Sequence, residues 1–317
     1  MEFFHGTKID FLSKRALFFF ASLAINLLGI VFVFVAKPEF GIDFVGGTEM
    51  AVRIQGAANQ TDKVRLAMDN AKYTNTQIKS YGQPEEYLIR VPNSAALNLT
   101  QSLTQALQTQ FPQNTITILK TNTIGPKVGA ELRQDAVLAV GLAIIAILAY
   151  VAFRFDFLFG LGAVVALIHD VILAVVLSVA FNKLHIIHLE INQDIIAAIL
   201  TVLGFSIHDK VIIFDRIREN REKHKNITLI ELLNLSINET LSRTVNTVLT
   251  AALVLLVIVG FGGEVLQGFA FVMLVGFVTG VYSSVYVAGS FVVWYLENIR
   301  KVDVAHVAHT VALKARA

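Results

Sequence analysis

Six stretches of the chain are apolar for long enough to cross a bilayer as helix, which takes roughly 20 residues. They are Ala16–Ala36, Val137–Phe153, Phe157–Phe181, Ile195–Phe214, Val245–Phe261 and Leu266–Leu296. The last exceeds a straight span and is expected to tilt or to open with an interfacial turn. The first follows Lys8, Lys14 and Arg15 as a signal peptide would. Its apolar run is too long for an ordinary signal core, which predicts a retained signal-anchor.

Between the first and second runs, from Lys37 to Asp135, the pattern changes period. Thr48–Ile54 alternates like a strand. Thr61–Lys72 carries Val64, Ala67, Met68 and Ala71 at helical spacing, with Thr61 as N-cap. Gln77–Tyr81 and Glu86–Val91 read as strands around the Gly82-Gln-Pro84 turn. Ser94–Phe111 reads as a second helix closed by Pro112, and Thr115–Thr121 as a last strand. The order βαββαβ is the ferredoxin-like pattern. The fold class is therefore a polytopic α-helical membrane protein with six transmembrane helices. A small α+β ferredoxin-like domain sits between helices 1 and 2. The expected domains are an N-terminus over 1–15, helix 1 over 16–36, the outer domain over 37–135, a five-helix transmembrane domain over 136–296 and a tail over 297–317.

Composition agrees. The chain is 55% hydrophobic and 16% charged over 317 residues, with a mean hydropathy of +0.64. That is too apolar for an ordinary soluble domain. The net charge of +2 gives no bulk excess for nucleic acid, and without cysteine there is no disulfide, thiolate metal site or cysteine nucleophile. No phosphate-binding GxxxxGK[ST] loop and no HExxH zinc motif occurs. Neither catalytic nor metal-ligating residues are indicated.

Charge position sets an orientation. Arg216, Arg218, Arg221, Lys223 and Lys225 follow the fourth run, Arg154 follows the second, and Arg300, Lys301, Lys314 and Arg316 follow the sixth. Of lysine and arginine, the opposite loops, 182–194 and 260–265, carry Lys183 alone. Both termini are expected in the cytoplasm and the polar domain outside.

Three charges stand inside or at the edge of apolar runs: Asp170 in the third, Asp209 in the fourth and Arg243 entering the fifth. Each costs at least about 2.5–3.5 kcal/mol on insertion scales, so such residues are paired, wet or functional. At about 1.5 Å rise per residue, Asp209 lies roughly 8 Å from the inner end of its span, where Arg243 could meet it. An Asp–Arg pair that opens on protonation is a proton-coupled switch; a pair that only locks two helices is the competing reading. Lys210 and Arg243 could also snorkel to the interface. His169 and His208 each precede an Asp and face roughly 100° away on a 3.6-residue helix, so neither need share its partner; each titrates near neutral pH, but packing or hydrogen bonding is the favoured reading of both. Asp215, Arg216 and Arg218 read as a solvated helix end or a docking surface. Gly276, Gly280, Ser284 and Ala288 recur at every fourth position, a seam for close helix packing. In Gly41-Ile-Asp43-Phe-Val-Gly46-Gly47, the glycines permit a tight turn near the outer interface.

These motifs together resemble the SecF family of the bacterial Sec machinery, within the SecD/SecF group of the resistance-nodulation-division superfamily. The resemblance rests on GIDFVGG (Gly41–Gly47), ALIHDV in the third run, SIHDKVIIFDRIREN ending the fourth and SINETLSRT (Ser236–Thr244) entering the fifth. It implies a heterodimer with SecD in the bacterial inner membrane, beside the SecYEG channel. YajC, YidC, translocating preproteins and membrane lipid are further expected contacts. It implies no cofactor, protons being the coupling ion, and ties proton passage to Asp209 and Arg243; Asp170, as an intramembrane charge, and His208, as a titratable neighbour, are weaker candidates read from the sequence itself. The family usually reads Asn-Asp-Thr where this chain has His208-Asp209-Lys210, so Lys210 becomes a rival partner for Asp209. Three other readings compete: a proton-coupled exporter of lipids or small molecules, an intramembrane aspartyl protease using Asp170 and Asp209, and a structural scaffold.

Overall fold

The computed structural model describes residues 7–73, 76–92, 98–184, 186, 187 and 189–304. Helix α1 (Arg15–Ala36) enters the membrane, and the short α2 (Ile42–Val45) follows it. Strand β1 (Gly47–Ile54), helix α3 (Thr61–Asn70), strands β2 (Gln77–Tyr81) and β3 (Gln83–Pro92), helix α4 (Leu99–Gln110) and strand β4 (Ile116–Ile124) form the small α+β domain, called the outer domain after its expected orientation. The sheet runs β2-β3-β1-β4, all pairs antiparallel, which is the ferredoxin-like arrangement. Met50, Val52 and Ile54 alternate onto one face and bury against Val64 and Met68 of α3 and Leu103 and Leu107 of α4. Thr61 is the first helical residue rather than the cap, which is Gln60. The expected start of α4 at Ser94 lies outside the described residues. Gly82 makes its turn at φ +73°.

The membrane domain continues with α5 (Pro126–Arg154), α6 (Phe157–Lys183), α7 (Gln193–Lys223), α8 (Leu229–Phe261) and α9 (Gly263–Ser283). A π-helical turn at Ser284–Ala288 leads into α10 (Gly289–Asn298). Among the described residues, six helices are long and apolar enough to span, the sixth being Leu266–Asn298. A π-helical turn at Ser284–Ala288 interrupts that span in place of the expected interfacial turn. Polar sequence hid the true ends elsewhere. α5 starts at Pro126, so 126–135 are helix rather than outer domain. α8 starts at Leu229, where Thr228 and Glu231 form a capping box.

The small-residue seam packs inside the bundle. A Cβ at Gly276 would sit 2.2 Å from Val202 Cγ2, and one at Gly280 would sit 3.1 Å from Ser206 Oγ. Ala288 backs onto Gly162 of α6, whose Cβ would lie 2.9 Å from the Ala288 carbonyl oxygen, and Ser284 is buried. Overpacking typically costs about 1–3 kcal/mol. Gly276→Val is therefore expected to lower the thermal unfolding midpoint of the detergent-solubilised chain. Gly204→Ala, where nothing lies within 4 Å, is expected to leave it unchanged.

Candidate functional site

Asp170 stands at the middle of α6 and Lys210 a little past the middle of α7. Both side chains are fully buried, and Lys210 Nζ donates to Asp170 Oδ2 at 3.1 Å. Lys210 also donates to Ser206 Oγ at 2.6 Å and Ser283 Oγ at 3.0 Å. Ser206 and Ser283 in turn donate to Asp170 Oδ2 at 2.6 and 2.8 Å. The other carboxylate oxygen lies 3.0 Å from His169 Nδ1. His169 stacks on Tyr282, whose hydroxyl meets Ser22 Oγ of α1 at 2.7 Å. The network thus ties together α1, α6, α7 and the end of α9, next to the π turn. Removing two charges from water costs several kcal/mol per ion, and only good geometry with saturated hydrogen bonding offsets it. Asp170 and Lys210 meet that condition.

The sequence expectation for Lys210 is corrected here. Lys210 does not snorkel and does not partner Asp209; its stem turns inward because Ser206, one helical turn earlier, and Ser283 supply acceptors. His169 is hydrogen-bonded and packed, the reading favoured from the sequence: its ring meets the Asp170 carboxylate and stacks on Tyr282. The paired-carboxylate protease geometry is also lost, because the oxygens of Asp170 are taken up by a lysine, two serines and a histidine.

Asp209 lies on another face of α7. It is 2% exposed, yet among the described residues it accepts no hydrogen bond and forms no ion pair. The charges near enough to act on it are Lys210, His208 and Arg243. The expected Asp209–Arg243 contact is not closed. The depth argument holds all the same: counted from the outer helix ends, Gln193 and Phe261, the two residues lie level within roughly 3 Å at 1.5 Å per residue. Arg243 is exposed, and so is His208. Neither is engaged by another described side chain. Thr201, Thr247 and Thr250 are exposed nearby, each hydrogen-bonded to its own helix. Helices α7 and α8 therefore present a polar strip where lipid would offer no partner.

The outer domain is held on the bundle at the start of α7. Glu190, in the loop before α7, is 6% exposed and binds Lys79 at 2.9 Å and Arg90 at 3.1 Å. Arg90 reaches across the sheet to its register partner Glu49 at 2.5 Å. Burial opposes the charge of Arg90, but Glu49 and Glu190 more than offset it and hold its proton more tightly than usual. Gln193 N donates to Asp43 Oδ2 at 3.2 Å. Gly41 N donates to the Ile191 carbonyl at 3.0 Å, and a Cβ on Gly41 would lie 2.9 Å from Asn192 Cβ. Gly46 and Gly47, at φ +77° and +149°, let the chain pass under Pro126 and Pro92. The GIDFVGG motif is thus the collar between α1, the sheet and α7, rather than an isolated turn. Sequence reading missed Glu190, a single acid in a loop with no pattern around it. Glu190→Gln is expected to raise amide hydrogen exchange in 77–92 and 189–195 while the α6–α9 core stays protected. Unchanged exchange in both segments would show that Glu190 does not hold the domain.

On the face opposite the outer domain, Asp215 binds Arg154 at 3.3 Å and Arg218 at 2.8 Å. Arg216 binds Glu219 at 2.5 Å and Glu239 at 2.7 Å. Among the described residues, no group of acids and histidines could hold a metal ion.

A profile of the C-terminal domain of the protein export membrane proteins SecD and SecF matches residues 103–298. The chain is 36% identical over 302 residues to the protein translocase subunit SecF of Calditerrivibrio nitroreducens, covering 94% of this chain and 97% of that one. It is 39% identical over 298 residues to the SecF subunit of Rhodothermus marinus, covering 92% and 95%. Among solved structures it resembles SecDF from Thermus thermophilus, a translocon-associated membrane protein, with TM-score 0.78 at 33% identity over 92% of this chain. A super-membrane-facing form of SecDF gives TM-score 0.68 at 34% identity over 94% of this chain. The chain spans 39% and 40% of those two SecDF chains.

Proposed function

Since the chain belongs to the SecD/SecF family of protein-export membrane proteins, we propose that it is the SecF-side half of a SecD–SecF pair. It acts as an auxiliary subunit of the Sec translocase, in a bacterial inner membrane with both termini cytoplasmic. The observation that carries this reading is the polar strip of α7 and α8. His208 and Arg243 are exposed there and Asp209 has no partner, so the half-site asks for a second membrane subunit. The relatives' names and the two-fifths coverage of SecDF supply its identity: SecD. SecYEG, YajC, YidC and preproteins are contacts of the assembled complex.

Asp209 is the proton-coupling group. A carboxyl that no neighbour holds can trade its charge for a proton as Arg243 or a partner group approaches and withdraws. Asp170 is assigned a structural role, because saturated bonding fixes it in one state. The chain itself catalyses no bond making or breaking; protons driven by the membrane gradient are its only coupling species. The outer-domain collar joins directly onto α7, so a shift of α7 on protonation would reach the sheet that faces the translocating chain.

The test is complementation in SecF-depleted cells, with SecD co-purification followed in parallel. Restored export of a reporter preprotein together with SecD co-purification is expected. A chain that reaches the membrane but neither binds SecD nor restores export would overturn the assignment.

A further inference from the structure

The FDRIREN segment has no part in the proton site, yet it lines a pocket. Helices α5 and α6 are joined by only Phe155 and Asp156. So short a turn keeps Arg154 at the membrane surface opposite the outer domain. Arg218 and Arg221 reach the same place from the end of α7. Together they frame a cavity of about 150 Å³. Its floor is apolar: Phe214 and Ile217 are buried, and Phe155 and Phe159 pack edge-on against Phe214.

The charges do not cancel. Asp215 takes one contact each from Arg154 and Arg218, and Asp156 takes one from Arg221 at 2.9 Å. Three guanidinium groups against two carboxylates leave one formal positive charge. The Arg154 and Arg218 side chains stay 41% and 45% exposed. Each guanidinium has further N–H donors in a fork that matches phosphate oxygens. Beside the mouth, Phe153 and Phe157 are 93% and 67% exposed, as side chains against acyl chains would be.

We propose that this pocket binds the phosphate of an anionic phospholipid, with the arginines on the headgroup and the exposed phenylalanines against its chains. Basic pockets between spanning helices are suited to such headgroups. Anchoring α5, α6 and the end of α7 to one lipid would fix the base of the helix that carries Asp209.

The experiment is native mass spectrometry of the full detergent-solubilised chain, titrated with phosphatidylglycerol, with phosphatidylethanolamine and with inorganic phosphate. One phosphatidylglycerol is expected to bind in preference to phosphatidylethanolamine. Arg154→Gln and Arg218→Gln are each expected to weaken it about five-fold, from the typical contribution of one basic residue at a lipid surface. Asp215→Asn frees both arginines and is expected to tighten binding, a gain that misfolding cannot imitate. Equal binding of both lipids, indifference to the arginine changes, or no tightening in Asp215→Asn would each overturn the proposal. So would displacement of the lipid by millimolar inorganic phosphate, which would mark a site for soluble anions.

Discussion

Lys210→Met is expected to be the most destabilising single substitution in the bundle, costing about 3–5 kcal/mol, the usual penalty for stripping a buried charge of its partner. The variant leaves Asp170 fully buried with two serine hydroxyls and His169 but no cation. Asp170→Asn should be harmful by the converse route, burying the Lys210 ammonium without its carboxylate. The double variant Asp170→Asn/Lys210→Met removes both charges and is expected to regain much of the loss. Thermal unfolding of the four proteins in one detergent closes the cycle, and a coupling near zero would show that the two residues do not form a pair.

Asp209→Asn is expected to behave in the opposite way. No hydrogen bond or ion pair is lost with its charge, so unfolding midpoint, membrane level and SecD co-purification should match the parent. Export of a reporter preprotein in SecF-depleted cells should fall to the level of cells without the subunit. Adjacent residues on one helix would then separate stability from transport: Lys210 holds the bundle together and Asp209 works it.

That separation was half legible in the sequence. The cost of charge in an apolar run singled out Asp170, Asp209 and Arg243 without any structure. Which of Asp209 and Lys210 turns inward was not legible, because neighbours on a helix point roughly 100° apart and periodicity in an apolar span is weak. The missing signal was Ser206, one turn before Lys210, together with Ser283 on α9, whose hydroxyls make the inward direction favourable for an ammonium. The outer domain was readable strand by strand because Met50, Val52 and Ile54 alternate against one buried face. The ends of α5, α7 and α8 were less so, since polar helix beyond the bilayer carries no apolar run. The π turn at Ser284–Ala288 left no trace, as the small residues keep an uninterrupted four-residue spacing through it. Glu190 was invisible because its partners, Lys79 and Arg90, are distant in sequence and meet only when the sheet docks on α7.

The central claim is that Asp209 couples export to the proton gradient. The most direct test is the uncoupler sensitivity of export in SecF-depleted cells supplied with the parent chain or with Asp209→Asn, at matched membrane levels. The account predicts that the export gained from the parent chain disappears on adding an uncoupler, while the residual export with Asp209→Asn is the same with and without it. Parent-level, uncoupler-sensitive export from Asp209→Asn would contradict it.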